Sequence, residues 1–140
     1  MGSRIDIQTR TNTIEDFHSV HTDRVESSIR RGLRLGWLID KDAVLIRDYI
    51  NELRSAKNIS TLRSGKLAYT LVGWRRFLGP YSDLTIPQIY AGIEKLKTSE
   101  SQRGTEFSDH AKYDYVRTLK QFCTWMMEDG YITLLEKKLK

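Results

Sequence analysis

The sequence predicts an all-α protein, a single bundle of four core helices with an N-terminal leader helix. Three observations lead there. Apolar residues recur at spacings of three and four along most of the chain, and no alternating strand pattern of useful length competes with them. Only two prolines, Pro80 and Pro87, interrupt the pattern, and both stand where a helix should end or begin. With 140 residues and 39% hydrophobic content the chain can bury one core. The expected organisation is a leader over residues 1–39, a folded domain over 40–135, and the start of a linker at 136–140.

Residues 14–34, with Ile14, Phe17, Val25, Ile29 and Leu33 only loosely periodic, read either as a leader helix or as a partly disordered stretch. Asp40 or Asp42 can cap the next helix, whose stripe is Leu45, Ile46, Tyr49, Ile50 and Leu53 and which should end near Lys57 and Asn58. A third helix is expected from Thr61 to Leu78, opened by Ser60 and closed by Gly79-Pro80, with Leu67, Leu71, Trp74 and Leu78 on one side. A fourth begins after Thr85, carries Pro87 in its first turn and buries Ile89, Ile93 and Leu96. The polar stretch from Thr98 to Thr105 reads as a loop. A fifth helix follows Ser108 and runs to about Glu128, where Gly130 can end it; its stripe is Tyr115, Val116, Leu119, Phe122, Cys123 and Met126. Trp74, Leu71, Leu119, Phe122 and Tyr49 should share one core.

Several classes of chemistry find no support. Cys123 is the single cysteine, so neither an internal disulfide nor a CxxC or Cys-rich zinc site can be assembled. His18 and His21 lie in the leader and His110 in the first turn of the last helix, without an HExxH or comparable spacing. No Walker loop, GxGxxG or GxSxG elbow is present. No cofactor, metal or small-molecule substrate is therefore expected. The longest apolar runs fall well short of the roughly 18 residues of a membrane span, and the N-terminus lacks the apolar core of a signal peptide, so a soluble, cytoplasmic protein is expected.

The net charge is +5, and its location matters more than its size. Residues 60–120 hold ten basic against six acidic side chains, so four of the five excess charges sit in one central stretch. A localised positive field suits a polyanion. At about 100° per residue, Tyr113, Arg117 and Lys120 cluster on the last helix away from Leu119, Phe122 and Met126. Lys112 stands next to them in sequence. A tyrosine and cations at spacings of three and four can bond phosphates or reach base edges. On the third helix Gly65, Tyr69, Gly73 and Arg76 fall together opposite the leucine stripe, with Lys66 beside them. Glycines destabilise a helix, so two on one face need a reason: close approach to a partner, or close packing on a neighbouring helix. The leader arginines Arg4, Arg10, Arg30 and Arg31 are balanced by Glu15, Asp16, Asp23 and Glu26, and should contribute little to binding.

The last helix, with Ser108, Tyr115, Leu119-Lys120, Phe122, Trp125 and Gly130-Tyr131-Ile132, resembles the S…Y…LK.F..W….GYI pattern of tyrosine recombinases, the phage-integrase family. The likeness is to their core-binding, SAM-like N-terminal domain, and to archaeal members in particular. Asp48-Tyr49-Ile50 through Leu53 is similar to that domain's first helix. Ser60 followed by Trp74-Arg75-Arg76-Phe77-Leu78 is similar to the second, and Leu84-Thr85 through Ile89 with Leu96-Lys97 to the third. The resemblance covers about residues 40–135. Two positions depart from it: Ala111 stands where the family often has threonine, and Thr70 is in register with a usual tyrosine, with Tyr69 alongside.

The resemblance implies a DNA-binding domain that clamps duplex DNA during site-specific recombination and integration, and that assembles with other recombinase protomers. It places the family's catalytic Arg, Lys, His, Arg and Tyr in a following domain, to which 136–140 would lead, so no catalytic residue is expected here. It also directs the second and fourth helices of that domain to the major groove. Lys66, Tyr69, Arg76, Lys112, Tyr113, Arg117 and Lys120 are the residues then expected to meet double-stranded DNA. The alternative is a stand-alone helical module that binds a protein or DNA without a recombinase domain.

Overall fold

The computed structural model describes residues 24–133. The leader residues 1–23, with His18 and His21, and the segment 134–140 lie outside it, and so do the expectations placed on them. The chain is an all-α bundle. Helix α1 covers residues 24–34. It is followed by α2 (Asp40–Lys57), α3 (Thr61–Trp74), a 3-10 turn (Tyr81–Asp83), α4 (Ile86–Lys97) and α5 (Asp109–Glu128). The one extended feature among the described residues is an isolated antiparallel bridge between Glu100 and Glu106, which closes the 98–107 loop.

Local chemistry sets most of the ends. Ser60, Thr85 and Ser108 each accept a hydrogen bond from the backbone three residues on, at Arg63 (3.0 Å), Gln88 (3.3 Å) and Ala111 (3.0 Å), which satisfies donors that the helix leaves open. Thr85 and Gln88 form a reciprocal box, since the Gln88 side chain accepts from the Thr85 amide at 3.0 Å. Asn58 ends α2 in the left-handed conformation at φ 52°, and Gly130 follows α5 at φ 81°. The start of α2 differs slightly from expectation: Ile39 is the N-cap residue, and Asp42 reaches back to accept from its amide at 3.0 Å.

Helix α3 is shorter than the spacing predicts. It ends at Trp74, not Leu78. Over Arg75, Arg76 and Phe77 the amides bond three residues back, to Val72, Gly73 and Trp74, so the last turn tightens. Arg75 holds that turn from its side chain: Nη1 donates to the Leu78 carbonyl at 2.6 Å and Nε to Asp42 Oδ2 at 2.7 Å.

The core lies where the stripes predict it. Leu71, Trp74, Leu119 and Phe122 have no exposed surface and Tyr49 has 4%. Tyr49, Tyr81, Phe122 and Trp125 pack in edge-on, tilted and stacked pairs with centroids 4.8–5.7 Å apart, geometry that adds to plain burial. Trp74 Nε1 donates to the Tyr115 carbonyl at 2.7 Å and joins α3 to α5. Burial pushes the Cys123 thiol up to about 12, so it acts as a small core residue. Val25 and Ile29 of α1 and Leu38 after it belong to the same buried cluster, so the described part of the leader builds the core. Tyr81, between α3 and α4, is also fully buried; its hydroxyl donates to the Leu71 carbonyl at 2.6 Å.

Asp42 is the one buried carboxylate among the described residues. It takes the Ile39 amide and Arg75 Nε on Oδ2 and the Tyr81 amide on Oδ1, the last at 3.0 Å. Replacing it would strand the Arg75 guanidinium, whose side chain is only 9% exposed. Asp42→Ala should therefore destabilise the fold by about 3–5 kcal/mol, measured by urea unfolding. A loss below about 1 kcal/mol, within the range of exposed ion pairs, would show that the pair is not structural.

Candidate nucleic-acid interface

Helix α3 stands in the middle of a row of three. On one side α1 runs alongside it in the same sense: Arg24 meets Gly65, Arg31 lies over Tyr69, and Gly32 meets Val72. On the other side α5 runs the opposite way, since Gly73 and Trp74 meet Tyr115 while Arg63 shares a groove with Lys120 and Gln121. Leu62 and Lys66 form the exposed ridge of α3 between these two neighbours.

The α3–α5 groove is basic. Its walls carry Arg63, Lys66, Arg117 and Lys120, and at the end of α2 Lys57 joins them. Asp114, Glu52 and Glu128 are the carboxylates along it, so five cations against three acids leave a formal excess of two. Lys66 Nζ lies 3.6 Å and His110 Nε2 3.3 Å from Asp114 Oδ2, and Trp125 Nε1 donates to Glu52 at 3.0 Å. The Lys66 contact, with its ammonium exposed, stabilises little and leaves the cation open to a phosphate. Tyr113 and Arg117 are exposed, and Lys120 is half-buried on the same face.

Four expected site residues therefore come together on this surface: Lys66, Tyr113, Arg117 and Lys120. Three others are placed differently. Arg76 does not project outward. Its Nε donates to the Gly73 carbonyl at 3.1 Å and Nη1 to the Glu100 carbonyl at 3.0 Å, and its guanidinium lies 4.6 Å from the Phe77 ring centroid. It ties the end of α3 to the 98–107 loop, and burial pulls its pKa below the ordinary value. Lys112 turns to the end of α4, where Nζ donates to the Lys97 carbonyl at 3.1 Å. That carbonyl lies at a helix C-terminus, where a cation is favourable. Tyr69 is half-buried beneath Arg31, and its carbonyl accepts from Gln102 Nε2 at 2.8 Å.

Gly65 and Gly73 are buried within the protein, which supports the packing reading of the two glycines. A side chain at Gly65 would face Arg24, and one at Gly73 would meet Gln102 and the Tyr115 hydroxyl. Arg63 and Lys57 were missed by sequence reasoning, although Arg63, Lys66 and Thr70 already stand at helical spacing.

Among the described residues no three His, Cys, Asp or Glu side chains gather as metal ligands, and no helix is long and apolar enough to cross a membrane. No family model matches the chain, and neither a curated protein nor a solved structure matches it.

The packing of α1 on α3 can be tested at two glycines. A methyl group at Gly32 would lie 2.7 Å from Val72 Cγ1 and 2.8 Å from Leu38 Cγ, both in the core, whereas one at Gly65 would lie 3.2 Å from Arg24 Cβ on an exposed residue. Gly32→Ala should destabilise by about 1–3 kcal/mol despite its better helix propensity. Gly65→Ala should fall within about 1 kcal/mol of wild type. Thermal unfolding of the two variants checks this, and equal effects would remove α1 from its place against Val72.

Proposed function

We propose that this chain is a DNA-binding domain that lays α3 and α5 against duplex DNA. The observation that carries the reading is the meeting of Arg63, Lys66, Arg117 and Lys120 on two adjacent helices, with Tyr113 exposed beside them. Cations on one face supply the sequence-independent part of affinity by neutralising phosphates and releasing counterions. Tyr113 and Arg117 have the reach and the donors for base edges. On the sequence resemblance, the domain is the core-binding part of a tyrosine recombinase acting in DNA integration and recombination in the cytoplasm. In that reading strand cleavage and rejoining belong to a separate catalytic domain, and other protomers assemble on the paired sites.

A second reading, a protein-interaction module, draws on the corner between α1 and α2, where Leu35, Ile39 and Val44 are 44–51% exposed. Salt separates the two, because an apolar contact does not release counterions.

The test is a titration of the full chain with duplex DNA between about 50 and 200 mM salt. Arg117→Ala with Lys120→Ala should lower the slope of log K against log salt by about 1.8, or about 0.9 for each phosphate no longer neutralised. Lys95→Ala with Lys97→Ala, the same charge change on α4, should leave the slope near that of wild type. Equal losses for the two pairs, or binding indifferent to salt, would defeat the reading.

A further inference from the structure

The groove on the other side of α3 is more strongly basic than the α3–α5 groove. Arg24, Arg31 and Arg34 of α1 line it with Lys66 and Tyr69 of α3 and with Arg103 from the 98–107 loop. Among the described residues no carboxylate lines it against its five cations, of which Lys66 alone has an acid nearby, Asp114 at 3.6 Å across the ridge. The nearest acid on α1, Glu26, is held away by Arg47, whose Nη2 lies 2.8 Å from it and whose hydrogen bonds lower the Glu26 pKa. Arg24, Arg34 and Arg103 are exposed.

The groove is also organised by its own contacts. The Arg31 guanidinium lies 5.5 Å from the Trp37 ring centroid and 5.2 Å from that of Tyr69, and it donates to Gln102 Oε1. Gln102 is fixed in turn by donating to the Tyr69 carbonyl at 2.8 Å and to the Tyr115 hydroxyl at 2.9 Å. Stacked, hydrogen-bonded arginine loses less freedom on meeting an anion than a free side chain does. Charges without neutralising partners repel one another, and a line of phosphates relieves that repulsion.

Lys66 borders both grooves, so the basic surface continues across the ridge of α3. Neighbouring helix axes lie about 8–10 Å apart, which sets α1 about 16–20 Å from α5. The major groove is only about 12 Å wide. A duplex that meets α3 and α5 thus has a phosphate backbone within reach of α1.

We propose that the α1–α3 groove is a second phosphate-binding surface, in which Arg24, Arg34 and Arg103 hold the backbone of the same duplex that α3 and α5 engage. This rests on the DNA-binding reading and extends it to a helix outside the region that resembles the recombinase domain. Its leader arginines, Arg24 and Arg34, are not among those expected from charge balance to contribute little, which were Arg4, Arg10, Arg30 and Arg31. Among the described residues, folding places Arg31 on Tyr69 and sets Glu26 against Arg47 of α2.

The experiment is the same salt titration with Arg24→Gln, Arg34→Gln and Arg103→Gln combined in the full chain, beside a charge-matched control of Lys41→Gln, Lys95→Gln and Lys97→Gln. Arg31 is left in place because it supports Gln102. The expected result is a slope lowered by about 2.7, so that the affinity lost between 50 and 200 mM salt shrinks about 40-fold, with the control near wild type. Combined with Arg117→Ala and Lys120→Ala, the losses should add. A wild-type slope in the triple variant, while the α5 pair still lowers it, would overturn this inference and leave the α3–α5 reading standing. An equal loss in the control would also overturn it, as an effect of net charge alone. Absence of salt-sensitive DNA binding by wild type would overturn both.

Discussion

Three pieces of chain meet at one buried carboxylate. Asp42, in the first turn of α2, binds the Ile39 amide behind it, the Arg75 guanidinium at the end of α3 and the Tyr81 amide in the turn beyond. Charge buried this deeply is unfavourable unless it is paired and hydrogen-bonded, and here the carboxylate has three donors, one of them a guanidinium. The consequence spreads outward. Arg75 draws α3 into its tightened last turn, Tyr81 is delivered into the core to hold the Leu71 carbonyl, and Phe122 of α5 packs edge-on to the Tyr81 ring at 4.8 Å. The same core joins α5 to α3, where Trp74 Nε1 donates to the Tyr115 carbonyl at 2.7 Å.

Most of the fold was legible because helix spacing and caps act locally. Ser60, Thr85, Ser108 and Gly130 mark their boundaries by chemistry that operates within four residues. The end of α3 was not legible for the opposite reason. Gly79-Pro80 looked like the stop, but the helix tightens at Trp74 because Arg75 answers a carboxylate 33 positions earlier in the chain. Tyr81 lies in a connector with no periodicity to mark it as core. The covering of α3 by α1 was equally hidden, since Val25 and Ile29 are only loosely periodic, although Gly65, which meets Arg24, had left close packing open as one of two readings.

The candidate interface divides along the same line. Tyr113, Arg117 and Lys120 were readable because their face is set by α5 alone, opposite its own core stripe. Arg76 and Lys112 were misplaced because long side chains choose among partners supplied by other elements. Arg76 finds carbonyls at Gly73 and Glu100 and the face of Phe77, and Lys112 finds the end of α4. Arg103 carried no signal at all, since a loop has no face until it folds. A helix wheel locates charge on its own helix but cannot say what will stand across from it.

Three helices side by side, with basic side chains along the seams, carry the proposal that the row meets duplex DNA. The measurement that tests this most directly is a map of backbone amide chemical shifts of the full chain as duplex DNA is added. The expected result is that the largest shifts fall on Arg63, Lys66, Tyr113, Arg117 and Lys120, with the faces of α2 and α4 away from the row unchanged. Shifts confined to α4, or to the Leu35, Ile39 and Val44 corner, would contradict it.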